Sequence, residues 1–209
     1  MFKWLLIILC LCRANTLEAQ QELLHKLHTG DLLFQNLDCG PLCDAIEAVT
    51  DGFDGHDFSH IGMVYIQNDS IYIIEAIGSN VHLTPLDDFL NRSANKVYAA
   101  TVKTQYRNIA HNAAAYARQQ CGIPYDDAFL YNNGKYYCSE LIYDAFKKAN
   151  HNKPFFQLHP MTFKIPGKTV FFPVWVNYYK QLGMPIPEGE AGINPGGISK
   201  SNKLIILNR

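Results

Sequence analysis

A chain of 209 residues is long enough to bury one full-sized hydrophobic core. Hydrophobic residues make up 48% of it and charged residues 18%, a globular composition that excludes an intrinsically disordered protein. The formal net charge of -1 and the lack of a Lys/Arg-rich run argue against nucleic acid as a partner.

The N-terminus has the pattern of an export signal. Lys3 supplies the positive charge, residues 5–11 form a short apolar core, and Leu17-Glu18-Ala19 matches a cleavage site before Gln20. The apolar run is too short to span a bilayer. The sequence therefore predicts a signal peptide over residues 1–19 and a single domain over residues 20–209. The protein is expected to be exported, periplasmic or secreted, and to need no membrane association after cleavage. Whether the signal is cleaved is left open.

Six cysteines are present, and two of them fall inside the predicted signal. The remaining four are Cys39, Cys43, Cys121 and Cys138. An exported protein can form disulfides, but a bridge between Cys39 and Cys43 would close only a small loop and stabilise little. The sequence leaves open whether that bridge forms. The spacing lacks a second cysteine pair and a nearby histidine pair, so no metal site is predicted.

The first half of the chain predicts a helix, a strand, a second helix and then a hairpin. A short helix over residues 22–28 ends at Gly30, and residues 31–34 form a buried strand. Pro41 opens a helix that runs to Thr50, because proline is tolerated at a helix start. Two strands over residues 59–66 and 71–76, rich in β-branched residues, flank a turn at residues 68–70 and predict a hairpin.

The second half adds helices and further strands. Residues 81–83 predict a third strand, and Thr84 is predicted to cap a helix whose first residue is Pro85. The remaining predicted elements are a strand at 97–102, a helix at 107–121 with Gly122 at its end, a helix that begins at Cys138, a helix at 174–182 and a strand at 204–207. This order predicts the α+β class, with a mostly antiparallel sheet.

Cys138 lies where a loop enters a helix. After it, Leu141, Ile142, Ala145 and Phe146 recur at helical spacing. A thiol at a helix start lies close to unpaired backbone N–H groups and to the positive end of the helix dipole, which favour its thiolate. The alternative is a buried structural cysteine.

Two residues of the predicted hairpin could activate this thiol. His60 lies early on the first strand and is the candidate base. Glu75 lies among apolar residues of the second strand, where an ionised side chain needs a partner. The hairpin brings the two residues to neighbouring strands, and Glu75 is the candidate group that orients His60.

Four segments of the chain are Gly30-Asp31-Leu32-Leu33-Phe34, Phe58-Ser59-His60-Ile61-Gly62-Met63-Val64, Ile73-Ile74-Glu75-Ala76 and Tyr137-Cys138-Ser139-Glu140-Leu141. Together and in this order, they resemble the motifs of the YiiX-like permuted papain-fold amidases. That family belongs to the NlpC-type superfamily, which also contains lecithin:retinol acyltransferase-like proteins. The resemblance covers residues 30–150. It implies a circularly permuted papain-like (NlpC-type) fold, an antiparallel sheet packed against helices, in which the histidine strand precedes the cysteine helix.

The resemblance also implies roles for individual residues. Cys138 would be the nucleophile, His60 the general base and acid, and Glu75 the third polar residue. Tyr137 and Tyr125 would line the substrate pocket. Asp31 would lie near the site as a structural element. No metal or organic cofactor would be required.

Three functions remain open at this point. The first is a cysteine amidase or peptidase that hydrolyses an amide bond in a small molecule or peptide, such as a cell-wall peptide or an N-acylated amino compound. The second is a lipid acyltransferase or thioesterase of the retinol acyltransferase-like type, which requires an apolar pocket long enough for a chain. The third is a non-catalytic binding protein on the same fold. The sequence does not give the substrate or the oligomeric state.

Overall fold

The computed structural model describes residues 26–208. Its strands are β1 (Leu32–Gln35), β2 (His60–Gln67), β3 (Ser70–Ile77), β4 (Asn80–Pro85), β5 (Tyr98–Val102), β6 (His159–Pro160), β7 (Ala191–Gly192) and β8 (Leu204–Ile206). Its α-helices are α1 (Pro41–Glu47), α2 (Leu86–Leu90), α3 (Arg107–Gln119), α4 (Cys138–Ala149), α5 (Pro173–Leu182) and α6 (Pro195–Ser199). The predicted signal, and residues 22–25 of the first predicted helix, lie outside the described residues; residues 26–28 are not helical.

Six strands form one sheet in the order β4-β3-β2-β1-β5-β8, and each neighbouring pair is antiparallel. The predicted hairpin is present as β2 and β3, in which Met63 faces Ile74 and Gln67 faces Ser70. The prediction of an α+β fold with an antiparallel sheet packed against helices is therefore confirmed. β6 and β7 form a separate two-stranded ribbon.

The two faces of the sheet are covered differently because successive side chains of a strand point to opposite sides. On one face, Phe34 and Met63 belong to a large core with residues of α3 and α4, such as Ala113 and Phe146. On the other face, Ile73 packs with residues that include Phe89 of α2. The sheet thus holds α4, which begins at Cys138, on the opposite face from α2.

The structure corrects two predicted boundaries. Thr84 is not a helix cap: it is the fifth residue of β4, and Pro85 precedes the first helical residue of α2. The predicted cap was wrong because a Thr-Pro pair also suits an edge strand such as β4, where the missing N–H of proline breaks no ladder hydrogen bond. Helix α1 ends at Glu47 and not at Thr50, whose hydroxyl donates to the Ile46 carbonyl at 2.8 Å.

Cys39 and Cys43 form a disulfide, with their Cα atoms 5.3 Å apart. The bridge encloses the start of α1, where Gly40 has φ +74°. A left-handed backbone of this kind favours glycine, so Gly40 allows the tight turn that brings the two cysteines together.

Within residues 26–208, no helix is long and apolar enough to cross a membrane.

Candidate active site

Cys138 is the first residue of α4, as the sequence predicts. The preceding residue, Tyr137, has extended backbone angles (φ −90°, ψ 169°), so the helix begins sharply at the thiol. The first N–H groups of a helix have no partner within it, and Cys138 lies at this end of α4. Cys138 and Cys121 are the two free cysteines in the described part of the chain. Cys138 is buried, with 7% of its surface exposed.

His60 is the first residue of β2, and its Nε2 lies 2.5 Å from Oε2 of Glu75 on β3. The predicted proximity of the two side chains is therefore present as a direct contact. Gly62 lies between them in the sheet: a Cβ atom at this position would approach Cγ2 of Ile73 to 2.3 Å. Because Gly62 has no side chain, Ile73 and Glu75 of β3 can pack directly against this part of β2.

Glu75 is completely buried and is contacted by two further donors. Arg92 holds both carboxylate oxygens, with Nη1 2.8 Å from Oε2 and Nη2 2.6 Å from Oε1. The Thr84 hydroxyl donates to Oε1. Burial alone would raise the pKa of Glu75, but Arg92, His60 and Thr84 outweigh it and lower the pKa to about 2. Glu75 is therefore an anion at any pH at which the protein would work.

Cys138 is the other side chain that acts on the protonation of His60. Because Nε2 faces Glu75, Nδ1 is the ring nitrogen that remains for the sulfur. Burial alone would lower the pKa of His60, but the contacts with Cys138 and Glu75 reverse this and raise the pKa to about 9. The environment thus favours the imidazolium form of His60, a cation of the kind that can stabilise a nearby thiolate.

The two residues that flank Cys138 fasten the start of α4 to a neighbouring loop. The Ser139 hydroxyl donates to the Ile193 carbonyl at 2.8 Å, and the Ile193 N–H donates to the Tyr137 hydroxyl at 3.2 Å. Ser139 is thus used structurally. These bonds fix the position of the thiol relative to Ile193, which forms part of a cavity wall.

A cavity of about 350 Å³ adjoins Cys138. Tyr125 and Tyr137, the two predicted pocket residues, both line it. Most of the other side chains that line the cavity are apolar or aromatic, including Ile46, Phe129, Phe155, Phe156, Phe163, Trp175 and Ile198. The volume lies within the range of small-molecule sites, and the wall is suited to an apolar group.

Asp31 lies away from these residues. Its carboxylate accepts bonds from the His28 N–H at 2.8 Å and the Thr101 hydroxyl at 2.5 Å, and Arg107 lies 3.6 Å away. Asp31 comes just before the first residue of β1, whereas Gln35, which pairs with His60, is the last residue of that strand. Asp31 therefore ties β1 to β5 and α3, and the structure does not bring it to the cysteine.

Arg92 and Thr84 were not predicted as site residues. A buried glutamate requires a positively charged or hydrogen-bonding partner, so Glu75 among apolar strand residues does indicate that such a partner exists. The identity of that partner depends on how β4 and α2 lie against β3, and nothing in the local pattern around Arg92 gives this.

Residues 26–207 match a family described as "Permuted papain-like amidase enzyme, YaeF/YiiX, C92 family". The uncharacterized protein YiiX of Escherichia coli (strain K12) is 30% identical over 127 residues, which is 58% of this chain and 58% of that protein. The match thus spans little more than half of that relative's length.

A crystal structure described as the metalloprotein yiiX from Escherichia coli O157:H7 has a TM-score of 0.68 and 24% identity, and the match covers 86% of this chain and 96% of that one. This likeness shows a shared fold. Residues 26–208 of the present chain contain no group of three or more His, Cys, Asp or Glu side chains that could hold a metal ion. By the family match over residues 26–207, the chain belongs to the YaeF/YiiX permuted papain-like amidases, the C92 family.

Proposed function

We propose that this protein is a cysteine hydrolase that cleaves an amide bond through an acyl-enzyme on Cys138. The observation that carries the proposal is the contact of buried His60 with the Glu75 carboxylate at 2.5 Å, together with the free thiol of Cys138 at the start of α4, beside the cavity. Family membership supports the amidase class, and the residue roles are our assignment. The intact arrangement also argues against a non-catalytic binding protein.

In this mechanism the Cys138 thiolate attacks the amide carbonyl carbon, and the carbonyl electron pair moves to oxygen. Collapse of the tetrahedral adduct breaks the carbon–nitrogen bond, and the leaving amine takes the proton from His60. Neutral His60 then removes a proton from water, which attacks the thioester. The carbon–sulfur bond breaks, the carboxylic acid leaves, and the thiolate and imidazolium are restored.

In this proposal the oxyanion accepts hydrogen bonds from the backbone N–H of Cys138, the first residue of α4, and from the hydroxyl of Tyr125, which lines the same cavity. Burial, and then the nearby Cys138 sulfur, raise the pKa of Tyr125 well above its ordinary value of 10. The phenol is therefore protonated and able to donate. Tyr137 serves differently, because its hydroxyl accepts the Ile193 N–H and so shapes the pocket wall.

Selective alkylation tests the thiol, and Cys121 provides an internal control. At pH 6, iodoacetamide is expected to modify Cys138 about tenfold faster than Cys121, although Cys121 is more exposed, because only Cys138 has a histidine partner. His60→Ala should abolish the difference, and His82→Ala, on the neighbouring β4, should preserve it. Equal reactivity of the two thiols, unaffected by His60→Ala, would refute the proposed nucleophile.

Acyl-enzyme trapping then identifies the substrate class. Wild-type protein is incubated with cell-wall peptides or with N-acylated amino compounds, quenched in acid and digested for mass spectrometry. The expected result is an acyl adduct on the peptide that contains Cys138, and no adduct in Cys138→Ala. Adducts from neither class would leave amide hydrolysis without support.

A second candidate, a lipid acyltransferase or thioesterase, is favoured by the apolar wall of the cavity. A volume of about 350 Å³ holds on the order of ten methylene-sized groups, if each takes roughly the space of a water molecule in the liquid. An acyl chain attached to Cys138 could occupy it. The thioester would then pass to an acceptor hydroxyl or amine in place of water.

Cavity filling separates an acyl chain from a peptide as occupant. Ile46→Trp narrows the cavity and should lower adduct formation with long acyl chains more than with short ones. Ile205→Trp is the matched control, because Ile205 lies on the edge strand β8 and is 47% exposed. A chain-length profile that Ile46→Trp leaves unchanged would show that the chain does not occupy the cavity.

We further propose that the protein acts after export, in the periplasm or outside the cell. The support is the charge and hydropathy pattern of residues 1–19. Cell fractionation and N-terminal sequencing test it: a mature chain that begins at Gln20 is expected, and a chain retained in the cytoplasm would refute it.

A further inference from the structure

Arg92 is a charged side chain in the site to which the proposed mechanism gives no part. It follows α2 in the chain, and its guanidinium contacts both oxygens of Glu75, at 2.8 and 2.6 Å. The guanidinium carbon also lies 5.3 Å from the ring centre of Phe89, whose ring is 6.0 Å from that of His60. A planar fork held in this way fixes the carboxylate in orientation as well as in charge.

The charges of the site balance only when Arg92 is counted. In the resting state of the proposed mechanism, the Cys138 thiolate and the His60 imidazolium cancel, and Glu75 and Arg92 cancel. After acylation the sulfur carries no charge and His60 must be neutral to act as base. Without Arg92, the completely buried Glu75 would then be an uncompensated anion, which is costly in a protein interior.

Other titratable side chains near this cluster, from the elements packed against it, are His82 on β4, Asp87 and Asp88 on α2, Glu140 on α4 and Tyr125 beside Cys138. His82 lies opposite Glu75 in the sheet, but its Nδ1 is 3.1 Å from the Asn80 carbonyl. Asp87 and Asp88 are exposed. No hydrogen bond or ion pair described for residues 26–208 joins any of these five side chains to Glu75.

We propose that Arg92 is a positioning residue that keeps Glu75 ionised and in place while His60 is neutral, so that His60 can deprotonate the water that releases the acyl group. This inference rests on the proposed function. The step is balanced: water gives its proton to His60 and its oxygen to the acyl carbon, and the sulfur leaves as thiolate. Arg92 acts through Glu75 and touches neither water nor substrate.

Titration of His60 tests the inference without any substrate. The experiment uses Cys138→Ala, because alanine, like an acylated sulfur, carries no charge. The imidazole ¹⁵N shifts are followed against pH with Arg92 intact and with Arg92→Met, Arg92→Lys or Arg118→Met added. Arg118 is exposed on α3 and is the matched control.

Arg92→Met should raise the pH at which His60 loses its proton by about one unit or more, since deprotonation would leave Glu75 bare. Arg92→Lys, which keeps the charge, should restore most of the wild-type titration, and Arg118→Met should leave it unchanged. A purely structural role for Arg92 predicts no shift, so an unshifted titration in folded Arg92→Met overturns the proposal. If Arg92→Met does not fold, recovery of folding by Glu75→Gln/Arg92→Met supports the proposal, and failure to recover overturns it.

The catalytic consequence is measured on enzyme that retains Cys138. At pH 7 the acyl-enzyme of Arg92→Met should hydrolyse up to about tenfold more slowly, because a shift of one unit lowers the neutral fraction of His60 by that factor. Unchanged hydrolysis across the pH range would count against Arg92. If wild-type protein forms no acyl-enzyme, the proposed function fails, and the His60 titration alone then decides whether Arg92 holds the Glu75–His60 pair.

Discussion

Replacing Glu75 with glutamine gives the sharpest test of how the site is held together. The amide keeps the shape of the carboxylate but removes its charge, and its NH₂ group would meet donors of Arg92 or His60. Arg92 would lose the partner that it contacts through both nitrogens. We therefore expect Glu75→Gln to destabilise the fold as well as to impair the thiol.

Two independent arguments give the same magnitude. The pKa of Glu75 falls from 4.5 to about 2, and at 1.36 kcal/mol per unit this corresponds to about 3 kcal/mol of stability at pH 7. Removing one partner of a buried ion pair costs about 3–5 kcal/mol, and the 25% exposure of Arg92 lets water recover part of that, which places the loss at the lower end.

The assay is urea unfolding followed by circular dichroism, with the slope against denaturant required to stay constant. Because the folded-state pKa of Glu75 is lowered, its contribution is fully present above pH 4.5 and is lost as the pH falls through about 2. The stability difference between wild type and Glu75→Gln should shrink over that interval. Glu190→Gln, at an exposed position, should change stability by less than about 0.5 kcal/mol. A loss for Glu75→Gln below about 1 kcal/mol at pH 7 would refute the reasoning.

Three further changes test other features of the structure. The pKa of His60 is raised from 6.5 to about 9, so protonated His60 contributes up to about 3 kcal/mol to the free energy of unfolding. This contribution is full below pH 6.5 and should be lost as the pH rises through about 9. In urea titrations, the stability of His60→Gln should lack this decline. Gly62→Ala would bring a Cβ atom to 2.3 Å from the Ile73 side chain. The clash should lower the free energy of unfolding by about 1–3 kcal/mol and slow the alkylation of Cys138. Wild-type values in both assays would contradict the close packing of Ile73 against Gly62. Cys39 and Cys43 are only four residues apart in the sequence, so their disulfide closes a short loop. Replacing both with serine should lower the free energy of unfolding by about 2 kcal/mol or less, measured by heat and by urea. A variant that no longer folds would show that the disulfide does more than close this loop.

Much of the site follows from local sequence. Apolar residues recur at helical spacing after Cys138, which predicts a helix that begins near the thiol, and α4 does begin at Cys138. The hairpin needs only two apolar runs and a short turn, and it brings His60 and Glu75 into contact. These predictions succeed because helix periodicity and hairpin pairing depend on residues that are close in the chain.

Contacts between distant segments were decided by the tertiary structure. Thr84 looked like a helix cap, but the register of β4 against β3 turns its hydroxyl to Glu75, and the placement of α2 brings Arg92 to the same carboxylate. The cavity wall likewise joins Ile46 of α1 with Trp175 of α5 and Ile198 of α6. The sequence by itself determined a helix-start cysteine and a strand histidine next to a glutamate. The counter-ion of that glutamate and the apolar space beside the thiol were decided only by folding, because each is built from segments whose meeting depends on the packing of the whole sheet and its helices.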